Sequence, residues 1–138
     1  MNSISPPTPA IPSDKLDYAI ERGGKSYAGA HHIIDMWGAR RIDDAAYIEA
    51  VLNESAAAAR ATLLHVHTHE FTVNGGVSGV AVLAESHISV HTWPERGFAA
   101  FDIFTCGNTD PKAAIEHMTG AFAPTRIEVR EILRGGER

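Results

Sequence analysis

The 138 residues carry a formal net charge of −5, are 44% hydrophobic and include one cysteine, which suits a single domain that buries a core without disulfide staples. One cysteine excludes an intramolecular disulfide, the acidic balance argues against a nucleic-acid footprint, and no apolar run approaches a membrane span. With no charged start leading into an apolar stretch, the chain reads as a cytoplasmic protein without a signal peptide.

In chain order, residues 1–24 hold Pro6, Pro7, Pro9 and Pro12 among small polar residues. They read as a flexible proline-rich tail, with a short helix near 14–21. Gly24-Lys25-Ser26 invites a phosphate-loop reading, but that motif needs glycine where Ala19 stands, and a turn into the first strand is the better account. A strand is predicted over 31–36, ending at Trp37-Gly38, and Asp43 is the predicted cap of a helix. Its apolar positions Ala45, Ile48, Val51, Leu52, Ser55, Ala56 and Ala59 recur at helical spacing. Strands follow over 62–71 and 77–84, separated by Gly75-Gly76, then through the stretch ending at Trp93. Residues 94–97 form a turn into a strand over 98–106, and Gly107 stops it. Thr109 or Asp110 caps a second helix with Pro111 in its first turn and Ala114, Ile115, Met118 and Phe122 on its apolar side. A strand over 125–133 closes the chain. The pattern gives an α+β fold, a two-layer α/β sandwich with a mainly antiparallel sheet and two helices on one face. The other face has Phe, Val and Ile in both parities, so a second copy is predicted to cover it in a sheet-to-sheet homodimer.

The chemistry concentrates in Glu85-Ser86-His87-Ile88-Ser89-Val90-His91-Thr92-Trp93-Pro94-Glu95. A strand that only had to pack would not need two carboxylates, three imidazole- or indole-bearing side chains and a hydroxyl so close together. If the turn pairs Trp93 with Phe98, antiparallel register sets Val90 opposite Phe101, Ser86 opposite Thr105 and Cys106 opposite Glu85. A thiol beside the Glu85-Ser86 peptide bond follows from spacing. His91 has the opposite parity to Ser86, so it reaches Ser86 only if the chain bends or another subunit supplies it.

Three segments, Gly76-Val77-Ser78-Gly79-Val80, Ala84 through Glu95, and Gly97-Phe98-Ala99-Ala100-Phe101-Asp102-Ile103-Phe104-Thr105-Cys106-Gly107, resemble the S-adenosylmethionine decarboxylase proenzymes of the short prokaryotic, pyruvoyl-dependent type. The likeness runs from about Gly29 to Arg134. It implies that the 25–138 decarboxylase domain cuts itself between Glu85 and Ser86, giving a 1–85 β chain and an 86–138 α chain. Ser86 Oγ would attack the Glu85 carbonyl to form an ester, loss of the Ser86 α-proton would eliminate the Glu85 carboxylate, and hydrolysis would leave a pyruvoyl group generated from Ser86. An amide is a poor electrophile, so the bond must be distorted or polarised, with donors such as Ser78 expected at its carbonyl. The resemblance assigns α-proton removal to His91 and proton delivery after decarboxylation to Cys106. It gives Glu95 the ribose hydroxyls, and Phe71 lies near the aromatic expected on adenine. The small-molecule substrate would be S-adenosylmethionine, the product an aminopropyl donor for spermidine biosynthesis, and the assembly a homodimer of cleaved β/α protomers with neither nucleic acid nor membrane as partner.

Plainer readings stand beside these. Ser86 alone would be an ordinary strand serine, Cys106 alone a small buried hydrophobe, and Trp93 and Phe104 core residues. His65, His67 and His69 share a strand face, but no Cys pair or spaced carboxylate completes a tetrahedral set, and no metal is assigned. His31 and His32 read as structural, and Asp35 as structural or near the substrate. A pyruvoyl-dependent arginine or ornithine decarboxylase of the same fold, or a non-catalytic metal- or ligand-binding module built on the histidine strand, would share parts of the pattern.

Overall fold

The computed structural model describes residues 19–137. Strands β1 (Ile20–Arg22) and β2 (Lys25–Tyr27) form a hairpin around Gly23-Gly24. This corrects the expectation of a loose tail reaching residue 24. The helix expected over 14–21 lies largely outside the described residues, and Ile20 and Glu21, its last positions, are strand. The hairpin is tied down by distant partners that local composition does not reveal. Arg22 donates from both terminal nitrogens to Glu131 at 2.8 and 3.0 Å, and the Ser26 backbone exchanges bonds with Glu137 at 2.9 and 3.0 Å.

Next come β3 (Gly29–Trp37), α1 (Ala45–Ala58), β4 (Leu63–Glu70), β5 (Val77–Leu83) and β6 (Ser86–Trp93). A 3-10 turn (Pro94–Arg96), β7 (Phe98–Thr105), α2 (Pro111–Phe122) and β8 (Arg126–Arg134) complete the order. The cap of α1 is Asp44 and not Asp43. Its carboxylate accepts from the Tyr47 N–H at 3.0 Å and is held by Arg41 at 3.0 Å. Asp110 caps α2 in the same way, with Pro111 in its first turn. Gly97 closes the 3-10 turn at φ +61°, a left-handed conformation that favours glycine.

The main sheet has the order β4-β5-β6-β7-β3-β8, and its neighbours pair antiparallel. One parity of each strand packs under the helices. Ile34 and Met36, Ala81 and Leu83, Ile88 and Val90, and Ala99, Phe101 and Ile103 meet Ile48, Val51, Leu52, Met118 and Phe122 in one core. The two-layer α+β sandwich is therefore the observed fold. No described helix is long and apolar enough to cross a membrane.

The other parity forms an open face whose rows can be followed across the register. One row runs His65, Val82, His87, Phe104, His31, Ile132; the next runs His67, Val80, Ser89, Asp102, Ile33, Arg130; a third begins His69, Ser78, His91. The open face is thus less apolar than the residue types suggested, because the helix-side parity takes most of the aliphatic side chains and the open parity takes His31, His65, His67, His69, His87 and His91.

Candidate active site

A two-residue turn, Ala84-Glu85, joins β5 to β6 and leaves Leu83 paired with Ser86. A turn that is left-handed only at its second central residue favours Gly or Asn at that position. Here Glu85 takes that position at φ +64°. Its side chain makes the conformation costly, on the order of 1 kcal/mol, at the residue whose carbonyl precedes Ser86.

Strand β7 delivers the thiol as the spacing predicts. The observed register pairs Trp93 with Phe98 and Val90 with Phe101. Cys106 Sγ then donates to the Glu85 carbonyl oxygen at 3.2 Å. Thr109 fixes the Cys106 backbone by donating to its carbonyl from its hydroxyl at 2.8 Å. Burial, and next the Glu85 carboxylate, push the Cys106 thiol above its usual pKa, which keeps it protonated and able to donate. Arg60, Thr62, Ser86, Asn108 and Thr109 help to line a polar cavity of about 160 Å3 around this pair. Arg60, Asn108 and Thr109 had no sequence signal as site residues, because two loops far apart in sequence bring them together.

Ser86 shares the parity of Ile88 and Val90, toward the helices, and its hydroxyl is buried without a hydrogen-bond partner among the described residues. His91 lies on the open face, as its parity requires. Within the protomer Ser78 is not at the Glu85 carbonyl where it was expected. The hairpin register pairs Ser78 with His91, and Ser78 Oγ lies 3.0 Å from His91 Nδ1. That pair lies five residues from the turn, roughly 16 Å along the strands at about 3.3 Å per residue. The donor at the carbonyl is Cys106.

Around Ser78 and His91, a groove of about 410 Å3 is lined by Phe71, Val73, Thr92 and Trp93. Phe71 is 47% exposed and Trp93 37%, so both aromatics offer surface to a ligand. Glu95 is exposed in the 3-10 turn that follows Trp93, at this same end of the sheet. Thr92 anchors the region by donating to the Ile42 carbonyl at 2.7 Å and accepting from the Val77 N–H at 2.9 Å. The predicted residues therefore form two groups at opposite ends of the β5–β6 hairpin. Glu85, Ser86 and Cys106 occupy one end, and Ser78, His91, Phe71 and Glu95 the other.

Between them lies a network that sequence reasoning did not single out. Asp102 accepts from His31 Nε2 at 2.5 Å and His87 Nε2 at 3.2 Å, and Ser89 donates to its other oxygen. Burial opposes the Asp102 carboxylate, but the bonds from Ser89, His31 and His87 outweigh it and hold its pKa below the ordinary range. His31, His87 and Asp102 are close enough together to chelate an ion. However, Arg134 Nη1 approaches His31 Nδ1 at 3.5 Å. An imidazole bound to metal through Nε2 would turn an N–H toward that guanidinium, so the set is better satisfied as hydrogen bonds. Of the histidine strand, His65 and His67 stack at 6.4 Å between ring centroids, and the three imidazoles are not gathered into a chelating group.

Residues 30–135 match the family model described as S-adenosylmethionine decarboxylase. The chain is 44% identical over 108 residues to an S-adenosylmethionine decarboxylase proenzyme of Thermomicrobium roseum, covering 78% of this chain and 93% of that one. It is 46% identical over 110 residues to a proenzyme of the same name from Methanococcus vannielii, covering 78% and 89%. In three dimensions it resembles the crystal structure of the adenosylmethionine decarboxylase from Aquifex aeolicus, with a TM-score of 0.70 and 35% identity over 78% of this chain and 90% of that one.

Proposed function

The chain belongs to the S-adenosylmethionine decarboxylase family, and from this we infer that it cuts itself between Glu85 and Ser86 and uses the resulting pyruvoyl group to decarboxylate S-adenosylmethionine. The product is the aminopropyl donor for spermidine biosynthesis. The observation that carries the self-processing reading is the Cys106 Sγ contact on the Glu85 carbonyl, with Glu85 itself in a left-handed turn. The donor draws electron density from the carbon that Ser86 Oγ must attack, and the turn stores strain that cleavage releases.

The residues present fit a group made from Ser86, since its hydroxyl is buried, unpaired and next to a polarised carbonyl. As Oγ bonds to the Glu85 carbonyl carbon, the C–N bond breaks and the hydroxyl proton passes to the Ser86 nitrogen, giving an ester. A base then removes the Ser86 α-proton, the Glu85 carboxylate leaves, and hydrolysis of the dehydroalanine releases ammonia. His91 suits the role of that base, with Ser78 on its Nδ1 to fix the ring. Within one protomer it is at the wrong end of the hairpin. A homodimer packed through the open faces would bring the partner's His91, Ser78 and Phe71 to the Glu85–Ser86 end of this protomer's sheet, and so join the two groups around one scissile bond.

When present, the pyruvoyl carbonyl supplies an electron sink for the pair left behind as carbon dioxide departs. The chain's residues do the remainder. Cys106, kept protonated by burial, delivers a proton to the decarboxylated carbon, Glu95 accepts from the ribose hydroxyls, and Phe71 stacks on the adenine and favours the sulfonium charge.

Mass spectrometry of the purified protein tests this directly. It should find a fragment ending at Glu85 and one starting at a borohydride-reducible ketone in place of Ser86, whereas Ser86→Ala stays whole. Cys106→Ala should still be cut, a few-fold more slowly because a thiol is a weak donor, yet release carbon dioxide from S-adenosylmethionine roughly 100-fold or more slowly per ketone. Arginine and ornithine run in parallel should give no release. An unbroken parent chain, or full turnover without Cys106, would sink the respective assignment.

A further inference from the structure

Thr105 is fully buried, at 0% exposure, and its hydroxyl has no hydrogen-bond partner among the described residues. Unpaired buried hydroxyls are uncommon because the lost hydration is not replaced, and each one calls for a reason. Ser86 Oγ is a second such orphan. The register puts the two side by side. The β6–β7 ladder pairs His87 with Phe104, and the next step brings Ser86 opposite Thr105, both in the helix-side parity. On its other side Thr105 faces Ala30, which has no polar side chain to offer. Directly opposite cross-strand residues have Cβ atoms only about 5 Å apart, so a rotation about each Cα–Cβ bond brings the hydroxyls within hydrogen-bond reach.

We propose that Thr105 is the positioning residue for self-processing, its hydroxyl accepting the Ser86 O–H so that a lone pair of Oγ points at the Glu85 carbonyl carbon. This rests on the self-cleavage reading above. Thr105 neither gains nor loses a proton overall. The Oγ–C bond forms, the C–N bond breaks, and the Ser86 hydroxyl proton ends on the Ser86 nitrogen. Both hydroxyls go unpaired in the resting chain because the strand end is shaped for the reacting arrangement. Removing the Thr105 hydroxyl should therefore harm processing without harming the fold, since valine has the same shape and no group left unpaired.

The test follows cell-free synthesis of the full chain, with cleavage timed by gel and mass spectrometry. Thr105→Val should cut about ten- to a hundred-fold more slowly than the parent, the factor a hydrogen bond to the reacting hydroxyl commands. Thr105→Ser, which keeps the hydroxyl, should cut within a few-fold of it. Hydroxylamine, which cleaves esters, should not speed the valine chain, because the ester itself forms slowly there. In a Ser86→Ala background, which keeps every chain whole, Thr105→Val should melt at or above the Thr105 parent, a result a purely structural role would not give. Should the valine chain precipitate, Thr105→Ala, which adds no volume, replaces it in the comparison. Parent-rate cutting by the chain lacking the hydroxyl, or slowing of the serine chain to the same degree, overturns the proposal. A parent chain that is never cut overturns the self-cleavage reading and this one with it.

Discussion

His31 and His32 adjoin in sequence and end on opposite faces of β3. His31 joins Asp102 on the open face. His32 is 4% exposed on the helix side and reaches Glu131 at 3.2 Å. For His32, burial outweighs the attraction of Glu131 and holds the pKa below the usual 6.5. The unfolded chain therefore takes up this proton before the folded one. The stability the neutral ring confers is complete above about pH 6.5 and is lost as pH falls toward the folded value, by at most about 1.4 kcal/mol per pH unit. His32→Leu should flatten the acid-side decline of melting temperature between about pH 6.5 and 5, measured in an uncut Ser86→Ala chain. Glu131 keeps its two-point pairing with Arg22 in that variant, so no buried charge is orphaned. An unchanged slope would place the acid sensitivity elsewhere.

The β5–β6 hairpin is the element whose geometry sets the chemistry. Its two-residue turn is left-handed at the second position, and Glu85 accepts that at a cost that glycine would avoid. If the stored strain promotes cleavage, Glu85→Gly should slow self-processing by roughly five- to ten-fold, the rate equivalent of about 1 kcal/mol. The same substitution in the Ser86→Ala background should raise the melting temperature by roughly 2–6 °C. Equal cleavage rates with and without the strain would show that the thiol on the carbonyl is sufficient alone. Opposite the turn, the loop after Thr105 is held by Asp110 donating its N–H to the Ala59 carbonyl at 2.9 Å, which ties the Cys106 loop to the end of α1.

At the scale of the whole molecule, the open face carries exposed or half-exposed Val82, Trp93 and Ile132 among its histidines, and it separates the two groups of site residues. A dimer that joins them makes a definite genetic prediction. Ser86→Ala and His91→Ala chains should each stay whole alone. Co-expressed, a mixed dimer has one site with both defects and one with neither, so the His91→Ala chain, and only that chain, should be cut. Mass spectrometry reads the outcome from the fragment carrying the substitution. Failure of the His91→Ala chain to cut beside a folded Ser86→Ala partner would assign His91 to its own protomer's Ser86 and remove the need for a second copy.

Sequence patterning by itself determined the two helices, the strands of the six-stranded sheet and the Cys106–Glu85 encounter, because strand alternation, helical spacing and a turn of fixed length are local and propagate along an antiparallel ladder. The family likeness in the stretch from Glu85 to Glu95 likewise needed no coordinates. Only the tertiary structure decided that Ser78 partners His91, that Asp44 is the cap, that Arg22 anchors a hairpin where a tail was expected, and that Ser86 and Thr105 each bury an unpaired hydroxyl. Those facts depend on which distant groups compete for each donor, how far apart two ends of a hairpin lie, and what remains unpaired after packing, quantities that arise when the layers close and that no window of sequence contains.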